Sequence, residues 1–144
     1  MVRATLVAIL AITVVLVACA DDGSEEPLDT SGPPPIEVEG VTTASGLQIF
    51  DVIIGEGEEV RAGDAAAIHY AGWLESGVQF DTSLGDGEPF AFGLGGGQVI
   101  AGWDEGIVGM KPGGIRRLIV PPELGYGAQG SDNVPPNAVL TYDI

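Results

Sequence analysis

Aromatic side chains are the residues of this sequence whose types and spacing could support chemistry. Seven of them fall on different predicted elements: Tyr70, Phe80, Phe90, Phe92, Trp103, Tyr126 and Tyr142. Asp81 follows Phe80 directly, which sets a carboxylate beside a ring, and Tyr126 lies in a glycine-flanked loop where a core residue would be unusual. Aromatic residues at strand spacing are most often core. Their spread over separate elements, with polar groups beside them, predicts an apolar cup that binds a small ligand or a peptide side chain.

Several other chemistries are excluded by what the sequence lacks. His69 is the only histidine and Cys19 the only cysteine, which excludes the usual zinc sites and any intramolecular disulfide. No Ser-His-Asp triad is credible around a single histidine. The glycine-rich run 93–98 departs from both nucleotide-binding templates, and the acidic residues of 85–88 lack calcium-loop spacing. We therefore expect no metal and no cofactor, and no hydrolysis by a metal or a covalent nucleophile.

A short, glycine-containing helix over Gly97–Met110 is the element that must position the cup. Its apolar residues recur at spacings of three and four and so share one face: Ile100, Trp103, Ile107 and Met110. Each internal glycine costs such a helix about 1 kcal/mol relative to alanine, so the helix needs a sheet to support it. We predict that Trp103 points from the helix into a concave sheet and forms the floor of the cup.

The sequence around the helix predicts strands separated by glycine- and proline-containing turns. The predicted strands are Leu47–Ile54, Ala66–Leu74, Gln79–Thr82, Pro89–Gly93, Ile115–Val120 and Asn137–Ile144. Together they indicate an α+β domain over residues 43–144, in which one antiparallel sheet packs against one short helix.

Residues 1–19 are predicted to be a secretory signal. Its apolar run is short for a membrane span of about 20 residues and ends in Leu16-Val17-Ala18-Cys19. This ending is similar to the bacterial lipoprotein box, in which the cysteine is lipidated and becomes the mature N-terminus. We expect Cys19 to attach the protein to the extracytoplasmic face of the cell membrane. An ordinary cleaved signal, which would give a secreted protein, and an uncleaved anchor are the alternatives.

Residues 20–42 are predicted to be an acidic linker that contains Pro33-Pro34-Pro35. The prolines favour an extended, semi-stiff spacer, and a ligand for another domain is the alternative interpretation. The whole chain has a formal net charge of -16, which repels nucleic acid and anionic lipid headgroups. We therefore expect no nucleic-acid partner.

Five segments of the sequence resemble one family in their order and spacing: Val78–Ser83, Pro89–Phe92, Gly97–Gly106, Pro121–Gly127 and Val134–Asn137. They are similar to the FKBP-type peptidyl-prolyl cis-trans isomerases, which bind macrolide drugs. The resemblance covers about residues 43–144 and implies the family's fold, a bent antiparallel sheet wrapped around one short helix. Members usually run several residues beyond Ile144, so we expect a shortened final strand. The loop Gly130–Val134 is also shorter than is usual in the family.

The resemblance implies a role for individual residues of the cup. Its substrate-binding positions are Tyr70, Phe80, Phe90, Val99, Ile100, Trp103, Tyr126 and Tyr142. The Tyr126 hydroxyl and the Ile100 backbone N–H would donate to a bound carbonyl, and Asp81 would be the carboxylate at the rim. Tyr142 stands where the family usually has phenylalanine, which adds a hydroxyl near the pocket.

The resemblance implies a rotamase that acts on proline-containing segments of exported proteins, as a monomer inhibited by macrolide immunosuppressants. An apolar pocket would favour the twisted amide over the planar, charge-separated one, so that no covalent intermediate is needed. Two alternatives are open. The pocket could grip proline segments as a non-catalytic chaperone, or the protein could be an envelope protein whose function depends on the anchor and the acidic linker.

Overall fold

A six-stranded antiparallel sheet, a two-stranded antiparallel sheet and one short helix form the domain in the computed structural model, which describes residues 32–144. The elements are β1 Val41–Thr42, β2 Gln48–Ile53, β3 Ala65–Ile68, β4 Ala71–Leu74, β5 Gln79–Thr82, β6 Phe90–Gly93, α1 Ala101–Gly106, β7 Ile115–Val120 and β8 Leu140–Asp143. The larger sheet has the order β1-β2-β7-β8-β4-β5, and β3 pairs with β6. The predicted α+β class, with antiparallel strands and one short helix, is confirmed.

The N-terminal part of the chain lies outside the described residues. It comprises the predicted signal over residues 1–19, with Cys19, and residues 20–31 of the predicted linker. Across residues 32–144, no helix has the length and apolarity needed to cross a membrane. The lipid attachment predicted at Cys19 stays a prediction.

The stretch predicted as one strand, Ala66–Leu74, is divided between the two sheets. β3 and β4 are separated by His69 and Tyr70, where two side-chain hydroxyl groups and the Ser83 N–H bond the Tyr70 backbone. The Tyr70 N–H donates to Ser83 Oγ at 2.9 Å, and Thr82 Oγ1 donates to the Tyr70 carbonyl at 3.0 Å. The prediction of one continuous strand is wrong because these two side chains satisfy the Tyr70 backbone at the break.

Helix α1 is shorter than the predicted Gly97–Met110 helix. Gly95 and Gly97 have φ values of 79° and 71°, which a right-handed helix does not allow. The Asp104 carboxylate accepts hydrogen bonds from their backbone N–H groups, at 2.8 and 3.0 Å. These bonds fix a turn before the helix, and α1 ends at Gly106 instead of Met110, so the predicted helix is wrong at both boundaries. The predicted apolar face is confirmed by burial, complete for Trp103 and Ile107 and partial for Ile100 and Met110.

Two glycines bring α1 directly onto β7. A Cβ atom at Gly102 would lie 2.7 Å from Val120 Cγ1, and one at Gly106 would lie 2.6 Å from Leu118 Cδ1. Side chains do not approach each other so closely, so only glycine permits this contact. The residues that weaken the isolated helix are therefore the ones that let it pack against the sheet.

Arg116 of β7 fixes the C-terminal end of α1. Its Nη1 donates to the carbonyls of Gly106 and Val108, at 2.8 and 3.0 Å, and its Nε donates to the Asp51 carboxylate at 2.6 Å. The last carbonyls of a helix lack partners within the helix and carry partial negative charge. The guanidinium donates to these carbonyls, offsets their partial negative charge and links the helix to β7, the strand that supports it.

The larger sheet has an inner face towards α1 and an outer face away from it. The inner face is built from side chains that are at most 2% exposed: Leu118, Val120, Leu140 and Tyr142. Arg117 and Asp143 are opposite each other in the β7–β8 register and alternate with these residues, so their side chains lie on the outer face.

Candidate active site

Trp103 lies at the centre of a cluster of aromatic rings. Its ring centroid is 4.8 Å from that of Tyr70 and 5.1 Å from that of Tyr142, with interplanar angles of 72° and 80°. Phe90 and Phe92 lie at 6.3 and 6.1 Å. Near-perpendicular ring pairs at these distances are favourable, because a positive edge meets a negative face. Trp103 is 5% exposed, so its indole is buried within the cluster, and its predicted role as the floor of a binding cup stays a prediction.

Phe80 and Phe90 occupy the sides of the cluster. The Phe80 ring is 5.6 Å from Tyr142, and the Phe90 ring is 6.3 Å from Tyr70. Both pairs are close to perpendicular. Phe90 is 42% exposed, so its ring borders the opening and can contact a ligand.

Phe92 belongs to the same cluster, although the family resemblance did not place it among the substrate-binding positions. Its ring stacks on Phe90 at 5.6 Å, and the residue is 6% exposed. The two residues are separated by one position on β6, so a strand places both rings on one face. That spacing is the signal from which Phe92 could be found in the sequence.

Asp81 lies at the rim of the cup and is oriented by Tyr70. The Tyr70 hydroxyl donates to Asp81 Oδ2 at 2.8 Å. Burial, together with this hydrogen bond to a carboxylate, raises the pKa of Tyr70 to about 12. The phenol therefore keeps its proton at neutral pH and holds the exposed carboxylate in one direction.

Tyr142 places a phenol hydroxyl in the aromatic cluster, at the position where the resemblance implied a phenylalanine. The residue is 2% exposed. Burial raises the pKa of Tyr142 far above its ordinary value, and the nearby Tyr126, Asp81 and Tyr70 raise it further. A neutral, buried phenol is thus part of the wall.

Tyr126 lies in the loop that follows β7 and the 3-10 turn Pro122–Leu124. It is 38% exposed. Backbone bonds secure the loop, since the Gly127 N–H donates to Pro122 and the Asn137 N–H donates to Gly127, both at 2.8 Å. A depression of about 280 Å³ is lined by Phe80, Asp81, Tyr126, Ser131, Asp132 and Asn133. The loop therefore brings Tyr126 to the same rim as Asp81.

Val99 and Ile100 directly precede α1 and are partly buried against the core that contains Trp103. Ile100 is extended, with φ −59° and ψ 149°, and its carbonyl accepts the first bonds of the helix. Within residues 32–144 its N–H donates to no acceptor. The structure thus brings together every predicted substrate-binding residue in or beside one aromatic cluster, whereas Cys19 lies outside the described residues.

Residues 56–144 match the family model for FKBP-type peptidyl-prolyl cis-trans isomerases. The chain belongs to this family. An FK506-binding protein of Neisseria meningitidis serogroup B is 50% identical to it over 100 residues, which are 69% of this chain and 92% of that protein.

Solved structures of FKBP-type proteins share the fold. FkpA from Escherichia coli has a TM-score of 0.67 and 41% identity, over 72% of this chain and 48% of that chain. AtFKBP13 has a TM-score of 0.65 and 41% identity, over 73% of this chain and 94% of that chain. The family, the fold and the peptidyl-prolyl isomerase activity predicted from the sequence are confirmed.

The cup of this FKBP-type isomerase combines an apolar interior with few polar groups. Those groups are neutral phenols, one backbone N–H, one exposed carboxylate and the buried indole N–H of Trp103, which has no acceptor within residues 32–144. Within residues 32–144, no three histidine, cysteine, aspartate or glutamate side chains are arranged to hold a metal ion. A site of this kind can remove a planar amide from water and hold the carbonyl beside it.

Proposed function

We propose that the aromatic cup binds the proline of an X-Pro bond and that rotation of the amide takes place there. The observation that carries the proposal is the contrast between base and rim. Trp103 is 5% exposed beneath the rings of Tyr70 and Tyr142, whereas Phe90 and Tyr126 are 42% and 38% exposed. A closed apolar base can take a pyrrolidine ring, while the open rim leaves the rest of the polypeptide outside.

Rotation in this cup is favoured by desolvation. Twisting an amide has to break its resonance, against a barrier of about 18–20 kcal/mol. The planar amide is charge-separated and the twisted amide less so, so an apolar environment destabilises the planar form more than the twisted one. The cup therefore binds the transition state better than the substrate, which is what lowers a barrier. No covalent intermediate is required, because no bond is made or broken.

Two donors at the rim would orient the substrate. The Tyr126 hydroxyl and the Ile100 N–H come from separate elements, one in the loop after β7 and one at the start of α1. The Ile100 N–H donates to no acceptor within residues 32–144, so it can donate to a ligand carbonyl without breaking a bond within the domain. Each donor that bonds better to the twisted substrate would contribute to the rate.

Asp81 acts in this proposal as an orienting carboxylate, not as an acid that transfers a proton. Its Oδ2 accepts from the Tyr70 hydroxyl at 2.8 Å, and the raised pKa of Tyr70 keeps that proton on the phenol. The oriented carboxylate would favour one approach of the polypeptide backbone to the cup.

The role of Asp81 is tested by comparing Asp81→Asn with Asp81→Ala in the relaxation of a Leu-Pro peptide from cis to trans. Asn keeps an oxygen for the Tyr70 hydroxyl, so we expect it to retain most of kcat/KM, whereas alanine lowers it. Rates in H2O and D2O should be nearly equal, because no proton moves in the transition state. Equal losses in both variants together with a rate at least about twofold slower in D2O would overturn the orienting role.

We propose further that the isomerase acts on exported polypeptides from a lipid anchor at Cys19. The box Leu16–Cys19 supports this placement, and two or three acyl chains would anchor the protein durably. Mass spectrometry of the mature N-terminus tests it. A diacylglyceryl-modified Cys19, and release of the Cys19→Ser protein from the membrane fraction, are the expected results. A mature N-terminus other than Cys19 would contradict the anchor.

The Neisseria meningitidis relative is an FK506-binding protein, which supports macrolide binding here, so we expect FK506 to occupy this cup. We also propose that the enzyme is a monomer, as the family resemblance implies. Sedimentation of the full chain with and without FK506 tests both the drug binding and the monomeric state. We expect one species of monomer mass that binds one equivalent of drug. A dimer that dissociates on drug binding would contradict the monomeric site.

A further inference from the structure

The outer face of the larger sheet carries buried side chains. One row of paired residues crosses β2, β7, β8 and β4 and consists, in that order, of Phe50, Arg117, Asp143 and Ala71. Arg117 and Ala71 are each 5% exposed. Trp73 lies two residues further along β4, on the same face, and is 6% exposed. A sheet face in contact with water would expose such side chains, so this face is covered.

The segment Gly32–Gly40 crosses the outer face. A Cβ at its first residue would lie 3.6 Å from Gly77 Cα, in the turn between β4 and β5. A Cβ at its last residue would overlap the ring of Phe50 on β2. The strand order between these two points is β5-β4-β8-β7-β2, so the segment spans most of the sheet before it enters β1.

Arg117 holds the middle of this segment. Its Nη1 donates to the Pro34 carbonyl at 2.6 Å, and its Nε and Nη2 donate to the two carboxylate oxygens of Asp143, at 2.5 and 2.6 Å. A buried guanidinium needs its charge paired and its N–H groups bonded. Asp143 pairs the charge, and the segment accepts from an N–H that the carboxylate does not reach.

The prolines suit the segment to this position. Pro33, Pro34 and Pro35 favour an extended polyproline conformation, which has no internal hydrogen bonds and leaves its carbonyls free. A pre-extended chain loses little conformational freedom when it docks. Pro33 and Ile36 are partly buried, while Pro34 presents its carbonyl to Arg117.

We propose that the outer sheet face is a second polypeptide-binding site, separate from the aromatic cup, for an extended proline-containing segment, and that its resident ligand is Gly32–Gly40 of the same chain. We name this segment the proline strap. The folded isomerase then includes the strap. One consequence rests on the proposed lipidation of Cys19: the tether to the membrane is reduced to residues 20–31, which span at most about 40 Å.

NMR of the unmodified full chain in detergent tests the docking without any substitution. We expect nuclear Overhauser contacts between Gly32 and Gly77, and between Gly40 and the Phe50 ring. Absence of both contacts in a folded sample would overturn the proposal. Contacts seen only between differently labelled chains in a mixed sample would also overturn it, because the ligand would then belong to a second copy.

A matched pair of variants tests whether the strap is what shields Trp73. Gly40→Val forces a side chain into the Phe50 ring, whereas Gly85→Val adds the same side chain where no atom lies within 4 Å. Labelling with 5-fluorotryptophan gives one fluorine signal for each tryptophan, and Trp73→Phe assigns them. We expect the solvent isotope shift of the Trp73 signal to rise severalfold in Gly40→Val only. Equal shielding in both variants would contradict the proposal.

The ligand class is tested in trans. A peptide with the sequence of Gly32–Gly40, added to the Gly40→Val chain, should restore the shielding of Trp73. The same peptide with its three prolines changed to glycine should be severalfold weaker, because it is no longer extended in advance. Equal effects of the two peptides would overturn the proline requirement. None of these readouts involves the cup, so they are independent of the proposed mechanism.

Discussion

The contact between α1 and β7 gives a prediction with a magnitude. Gly106→Ala adds a methyl group that would lie 2.6 and 2.7 Å from the two Cδ atoms of Leu118. Leu118 is 0% exposed, so it has no free space into which it could move. The helix must therefore shift away from the sheet or Leu118 must leave its preferred rotamer.

Two effects of opposite sign decide the result. Alanine in place of glycine favours a helix by about 1 kcal/mol in its interior, and by less at Gly106, the last residue of α1. Overpacking a full core costs about 1–3 kcal/mol, and the double overlap with a fully buried leucine favours the upper part of that range. We expect Gly106→Ala to lower the free energy of unfolding by about 2 kcal/mol, which corresponds to a fall in Tm of about 8–16 °C for a domain of this size.

Urea unfolding of the full chain, followed by circular dichroism, measures this change. Gly85→Ala is the matched control, because no atom lies within 4 Å of its added methyl group, and it should stay within about 0.5 kcal/mol of the wild type. Leu118→Val removes a methylene from the other side of the contact. Combined with Gly106→Ala it should destabilise by at least about 1 kcal/mol less than the sum of the single changes. A Gly106→Ala protein as stable as the wild type, or an additive double variant, would refute the packing argument.

Three further predictions concern the cup. Tyr126→Phe should lower kcat/KM for a Phe-Pro peptide about fivefold, because one hydrogen bond worth about 1 kcal/mol in the transition state is lost. Unchanged kinetics would show that Tyr126 has no part in the mechanism. Trp103→Leu should lower kcat/KM more than about tenfold and the stability by about 2–4 kcal/mol, so retained catalysis would show that the floor lies elsewhere. The phenol of Tyr70 has a pKa near 10 unfolded and about 12 folded, so it stabilises the fold fully below pH 10, and this stability is lost as the pH rises through about 12. Unfolding free energies measured across this range should fall less steeply in Tyr70→Phe, and an unchanged slope would contradict the raised pKa.

The floor of the cup is predictable from local spacing. Trp103 and Ile107 lie one helical turn apart, and their burial follows from that periodicity alone. The rings of Phe90 and Phe92 follow from alternation on a strand in the same way. The meeting of these elements in one cup was implied by the family resemblance, because no local pattern states which strands pair.

The breaks between elements depend on partners that are distant in the sequence. The division of Ala66–Leu74 depends on Ser83, which bonds the Tyr70 backbone from the position directly after β5. The shortened helix depends on Asp104, which in the sequence looks like an ordinary solvent-facing residue of a helix. Position alone does not distinguish a carboxylate that stays in water from one that organises a turn.

The contacts on the outer sheet face are even harder to predict from local sequence. Arg117 and Pro34 are separated by 83 positions, and neither carries a local sign of the other. Trp73 lies on a strand whose two faces are both buried, so alternation does not indicate which face turns towards the helix.

The most direct test of the account is a titration of the isomerase with FK506. The full chain is added to a Leu-Pro peptide, and exchange between cis and trans is followed by NMR as drug is added. We expect an accelerated exchange that falls to the uncatalysed rate at one equivalent of drug, with the NMR signals of Trp103 and Tyr126 shifting and saturating at the same ratio. A folded chain that binds the drug in the cup but does not accelerate exchange, or one whose acceleration persists with the cup filled, would contradict it.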